Sequence, residues 1–450
     1  MKGTVGILSL RSTLAASVVV SLFAGVGGAL AQDEKPALTL FTNVNVYDGV
    51  TPELKMNANV LVEGNLIKEV STDVIEAEGA TIIDGQGRSL TPGLIDTHTH
   101  LAFVSDFNSM NEMDWGEIGA RMAVIAEDQL MRGFTTARDT CGNTHGLRTA
   151  INKGVIPGPR IYSSGACISA TSGHGDFGSY TKVEGTHNLD VLGSLKTADG
   201  IDEVIKAMRE EFRKGASFIK LMIGGGLASP FDPLDVTTFQ RHEIEAAVRE
   251  AEGWGTYVTA HIYTDQGILM GLDAGMKTFE HTHLASREVY ERFKEEGIVI
   301  SAQVHAIGQL VGYAGFTTPE QNRKAGFLAE NGTATFGYIK ELDLPVGFGA
   351  DFWGEIPSQR INSEAIAGRK EYFENDMILE QLFQNNVILL EMTGERNPYK
   401  DGPLGVIAPG AYADILLVEG DPTDDVAVFS NWETGIDLVM KDGVIYRNDL

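Results

Sequence analysis

Between residues 93 and 349 the chain repeats one pattern eight times: a short apolar run, a loop, then a segment with helical periodicity. The apolar runs fall at 93–97, 135–139, 160–165, 218–223, 257–261, 278–281, 298–303 and 346–349. In the segment 240–254, Ile244, Ala247, Val248 and Ala251 share one helical face, with Arg241, Glu245 and Glu252 elsewhere. Eight strands alternating with helices over this length predict an α/β fold built on a (β/α)8 TIM barrel. The rival is a doubly wound open sheet, which would carry a Gly-rich phosphate loop after its first strand. Gly224-Gly225-Gly226 is no such fingerprint and reads as a tight turn at a strand end.

The flanks read differently. Residues 38–41, 58–62, 67–70 and 81–84 alternate with period two and predict antiparallel sheet. A matching all-β stretch returns at 413–418 and 438–446. The two ends are expected to pair into one small β-sandwich. The expected organisation is a signal peptide over 1–31, sandwich over 32–92, barrel over 93–400 and sandwich again over 401–450. Lys2 and Arg11, the apolar run 13–23 and the small-x-small Ala29-Leu30-Ala31 carry the signal-peptide reading, with cleavage after Ala31. A secreted or periplasmic protein follows, free of the membrane once cleaved. The net charge of −27 argues against nucleic acid and against an anionic membrane surface. With two cysteines, Cys141 and Cys167, a disulfide-dependent scaffold is excluded. They sit near the ends of neighbouring predicted strands, so one bridge is open to them, with two buried thiols the default. Two long insertions, 169–199 and 353–376, follow the third and eighth barrel strands, where active-site loops usually lie.

Two histidines at i and i+2, His98 and His100, follow the first run and project the same way if the segment is extended. A lone pair of this kind is as well explained by core packing. Company at other strand ends changes the balance. His261 ends the fifth run, His281 ends the sixth and Asp351 follows the eighth. Lys220 lies inside the fourth, in Phe218-Ile219-Lys220-Leu221-Met222, where an unpartnered ammonium would be costly. His174, in Ser172-Gly173-His174-Gly175-Asp176, stands above the predicted mouth, where it could contact a substrate carbonyl or carboxylate or simply face solvent. Tyr263, two residues past His261, points the same way, with packing its bland alternative. His283 and His305 are candidates for outer positions around the site. His145, His187 and His242 are expected at the surface.

With these residues the chain resembles the amidohydrolase superfamily in its two-metal subtype. That pattern has paired histidines after strand one, a carboxylated lysine on strand four, histidines after strands five and six, and an aspartate after strand eight. The segments 90–96 and 408–415 match it too, and the resemblance spans nearly all of the mature chain. Within the superfamily the chain most resembles Xaa-Pro dipeptidase-like and imidazolonepropionase-like hydrolases, a group that includes ochratoxinase. Two departures stand out: Gly349-Ala350-Asp351 where the family usually has Gly-Thr/Ser-Asp, and Asn385-Asn386-Val387 in place of Asn-Ala-Ala.

The resemblance implies two divalent ions, most simply Zn2+ given imidazole and carboxylate ligands. His98, His100 and Asp351 would hold one ion and His261 and His281 the other, with carboxylated Lys220 between them. The implied reaction is attack of a metal-bridging hydroxide on a carbonyl carbon, with Asp351 moving the proton to the leaving nitrogen. His174 joins Asp351 as a candidate catalytic group, and Tyr263 would bind the substrate's α-carboxylate. The expected substrate is a dipeptide or an N-acyl amino acid, the expected reaction C–N amide hydrolysis. The alternatives are a cyclic amide or lactone at the same site, or a non-catalytic binding protein. Lys220 speaks against a single-metal deaminase. Substrate side chain, native metal and assembly into a homo-oligomer stay open.

Overall fold

In a computed structural model of the chain, all eight expected barrel strands form: Leu94–Thr99, Phe134–Asp139, Arg160–Ser163, Ile219–Met222, Val258–Ile262, Thr278–His281, Val299–Ala302 and Val346–Phe348. The structure describes Met1, Gly3 and residues 36–450 apart from 179, 180, 182, 184, 230, 314, 315 and 317. The expected signal peptide lies outside the described residues. No helix among the described residues is long and apolar enough to cross a membrane.

Every pairing between barrel strands is parallel. Every residue of these eight strands is buried, as expected for a sheet covered on both faces. The third strand is interrupted. It ends at Ser163, turns through Gly165 at φ +72°, and resumes as Cys167–Ser169, which pairs with Ile219–Met222. The expected run 160–165 therefore breaks where only a residue without Cβ is comfortable. Two hydrogen bonds bridge the remaining seams. The Ser217 N–H donates to Ser163 O at 2.8 Å, and the Asp351 N–H donates to His98 O at 2.9 Å. The helix Arg241–Gly253 begins with a capping box between Gln240 and Glu243 and buries Ile244, Ala247, Val248 and Ala251.

The two chain ends do pair, but as one mixed sheet of eight strands. Ile415–Val418 lies antiparallel to Ser89–Pro92 and joins the C-terminal strands to the N-terminal ones. The antiparallel expectation fails at one strand: Leu38–Val46 runs parallel to both Thr81–Asp84 and Ser89–Pro92. Alternation records that a strand has two unlike faces; it says nothing about strand direction. The halves close on a shared core containing Phe41, Val60, Leu90, Leu417, Leu438 and Met440. The stretch 438–446 divides into Ile436–Lys441 and Val444–Asn448 at Asp442-Gly443, both at positive φ, an Asp-Gly hairpin turn.

Cys141 and Cys167 are joined by a disulfide, their Cα atoms 5.0 Å apart, which overturns the default of two thiols. The insertion 353–376 is not an open loop. It folds into the helices Ile356–Gln359 and Ile361–Gly368 and the 3-10 turn Arg369–Glu371.

Candidate metal centre

Barrel closure brings His98, His100, Lys220, His261, His281 and Asp351 to the wall of one cavity. Donor atoms of His98, His281 and Asp351 lie within 4.8 Å of one another, a geometry that can hold a metal ion. Asp351 Oδ1 is 2.9 Å from His100 Nε2 and 3.4 Å from His98 Nε2, and its Oδ2 is 3.7 Å from His281 Nδ1. The rings of His261 and His281 are 4.4 Å apart. Among the described residues, His281 Nε2 is buried with no hydrogen-bond partner, an orphan that a cation would satisfy.

The backbone is strained at this spot. His281, Thr282 and Asp351 adopt φ of 71°, 57° and 60°, in the left-handed region that non-glycine residues rarely enter. Such outliers concentrate where geometry serves a site.

Electrostatics favour neutral imidazoles and an ionised carboxylate, as metal binding requires. Burial lowers His98 to about 4 and takes His261 and His281 well below the ordinary histidine range. Burial would raise Asp351, but His98 and the hydrogen bond from His100 outweigh it and hold the carboxyl below its usual value. Burial also lowers Lys220 to about 8, against the pull of Glu280 and Asp351. Lys220 is 1% exposed, and among the described residues its ammonium makes no ion pair or hydrogen bond.

One functional residue escaped the sequence reading. Glu280, fully buried, accepts from His98 Nδ1 at 2.7 Å, from Arg138 Nη2 at 2.8 Å and from Thr259 Oγ1 at 2.7 Å. It sets which nitrogen of His98 faces the cavity, the usual task of a carboxylate behind a metal-binding histidine. Burial would raise its pKa, yet Arg138, Lys220 and His98 hold it well below the ordinary carboxylate range. A carboxylate inside the short strand Thr278–His281 carries the same cost that singled out Lys220, so a signal was there to find. Glu280→Gln should lower unfolding free energy by about 3 kcal/mol, because buried Arg138 loses its counter-charge. Urea denaturation measures this, and a loss below about 1 kcal/mol would mean that the other Arg138 contacts suffice.

His174 and Tyr263 both line the cavity. The His174 ring stacks on His261 at 4.1 Å, and Tyr263 meets His261 edge-on at 4.9 Å. The cavity wall also carries the aromatic residues Phe103, Phe107, Phe177 and Trp353, none of which the sequence motifs marked. His283 is buried 6.1 Å from His281, ring to ring, but is not part of the cavity wall. His305 does not line the cavity; its ring lies against Gly368. His145, expected at the surface, is buried beside Glu211 at 3.5 Å, because its helix packs that face inward. His242 is exposed and His187 half-buried.

Residues 89–335 match the model of the amidohydrolase family. Ochratoxinase of Aspergillus niger is 30% identical over 383 residues, covering 80% of this chain and 75% of its own. Among solved structures, an amidohydrolase aligns with a TM-score of 0.85 at 33% identity, covering 92% of this chain and all of its own. A prolidase solved with N-methylphosphonate-L-proline aligns with a TM-score of 0.85 at 30% identity and the same coverage.

Proposed function

Because the chain belongs to the amidohydrolase family and carries a metal site suited to hydrolysis, we propose that it cleaves the amide bond of a dipeptide or N-acyl amino acid with two divalent ions, Zn2+ by preference. The observation that carries this reading is the convergence of four histidines, Asp351 and the unpaired Lys220 on one cavity. Relatives described as a prolidase and an ochratoxinase support the substrate class.

In this reading His98, His100 and Asp351 would hold one ion and His261 and His281 the other. Lys220, on adding CO2 at Nζ with release of a proton, would become an anionic carbamate able to serve as a further metal ligand. Its lowered pKa supports that step, since the neutral amine is the form that attacks CO2. Bound ions supply a Lewis acid and a water acidified towards neutral pH. Asp351 takes up the proton lost by the attacking water and passes it to the leaving nitrogen. Its carboxyl is kept ionised and 15% exposed, on the cavity side.

Among the described residues, no arginine, and no lysine other than Lys220, lines the cavity. A substrate carboxylate would therefore meet Tyr263. Burial raises the Tyr263 phenol well above its ordinary value, so it stays a donor. The aromatic wall suits an apolar side chain or acyl group. Export as a secreted or periplasmic protein belongs to the same proposal. The Cys141–Cys167 disulfide supports it, because such bonds persist in oxidising compartments.

The test is a panel of Xaa-Pro and other dipeptides, N-acyl amino acids, their carboxamides, cyclic amides and lactones, assayed with metal-loaded enzyme. Hydrolysis of linear amides bearing a free carboxylate, abolished by chelation, is the expected result. Turnover of cyclic amides or lactones alone would replace this reading with ring opening at the same site.

A further inference from the structure

Backbone pairing among the described residues divides the barrel into two sheets. Leu94–Thr99, Phe134–Asp139 and Arg160–Ser163 form the smaller one. The larger one holds Leu195–Thr197, Cys167–Ser169 and the five strands from Ile219–Met222 to Val346–Phe348. The proposed ion ligands are split between the two. His98 and His100 stand on or just past the smaller sheet, and Lys220, His261, His281 and Asp351 on or just past the larger. The placement of one sheet against the other therefore sets the shape of the centre.

The break lies at the interrupted third strand, and the Cys141–Cys167 disulfide crosses it on the side of the cavity mouth. Cys141 follows the second strand of the smaller sheet, and Cys167 opens the resumed strand of the larger one. Both are fully buried. His100 leans on this crossing. Its Nδ1 donates to Cys141 O at 3.4 Å, which leaves Nε2 for the cavity, 2.9 Å from Asp351 Oδ1. The same segment holds the chain on either side of His100. The Thr140 N–H donates to Thr99 O at 3.0 Å, and the Leu101 N–H donates to Asp139 Oδ2 at 2.7 Å. A carbonyl in this place fixes which nitrogen of a histidine faces a metal and how the ring is turned.

We propose that the Cys141–Cys167 disulfide is a positioning link of the metal centre, tying the carbonyl that aims His100 to the sheet that carries Lys220, His261 and His281. Breaking it loosens the ion held by His98, His100 and Asp351 and spares the ion held by His261 and His281. The proposal rests on the reading that the cavity binds two divalent ions. A bond that served stability alone would act by restricting the unfolded chain, and would leave metal affinity in the folded enzyme as it was.

The test is Cys167→Ala, which removes the bond and leaves the Cys141 carbonyl in place. Zn2+ titration against a chelating dye should show one site weakened at least about tenfold, the scale of a lost partner behind a metal ligand, and the other within about threefold. A lower melting temperature with both affinities unchanged overturns the proposal, as does equal weakening of both sites. Should the variant fail to fold, wild type decides through reciprocity: whatever the bond adds to metal affinity, the metal adds to the bond's resistance to reduction. Dithiothreitol opens the bond by two exchange steps, giving two protein thiols and its own cyclic disulfide. In a buffer of its reduced and oxidised forms, saturating Mn2+, which thiols bind weakly, should lower the midpoint potential by about 30 mV or more, the equivalent of tenfold. An unmoved midpoint overturns the proposal. Wild type that binds no divalent ion would sink the two-metal reading and this link with it; two ions bound equally by wild type and variant would sink the link alone.

Discussion

Lys220→Ala is expected to yield a folded barrel that has lost bound metal and, with it, turnover. Partners standing behind metal ligands cost roughly 10–100-fold when removed, so the loss of Lys220 as the proposed ligand should exceed about 100-fold in kcat/KM. The fold should survive, because the substitution removes a buried ammonium that has no hydrogen bond or ion pair of its own among the described residues. Small carboxylic acids such as acetate should restore part of the activity by standing in for the proposed carbamate. Metal analysis and activity, each with and without acetate, measure this. Full metal content in Lys220→Ala would remove the lysine from the centre.

Asp351→Asn is expected to retain fold but lose at least about 100-fold in kcat, the usual scale for removing a group that moves a proton. Asparagine has the same shape, and it is among the few residues that tolerate the left-handed backbone found here at φ 60°. Circular dichroism should therefore match wild type while turnover collapses. Near-normal turnover would assign the proton to another group, with His174 the next candidate on the cavity wall.

Much of this was legible before any coordinates. The barrel strands announced themselves because a strand covered on both faces is a nearly unbroken apolar run. Chemistry at their ends therefore stood out, as Lys220 did inside Ile219–Met222. Other features were not legible. Glu280 reaches His98 across 182 positions, and Lys324 reaches Asp232 across 92. Ser229, Asp232 and Lys324 are residue types that usually meet solvent, and no local period separates them from surface groups. The buried His145 misled for the same reason. The parallel pairings of Leu38–Val46 were hidden because alternation is the same in either strand direction.

The sequence by itself determined which segments are buried on both faces and which histidines, lysine and aspartate stand at barrel strand ends. These are properties of neighbouring residues, written in hydrophobic period. The tertiary structure alone decided which partner each buried polar group finds: Glu280 for His98, Ser229 for His174, Cys167 for Cys141. Barrel closure sets these pairs by joining distant segments, and a buried charge must find its partner wherever the closed chain has placed one.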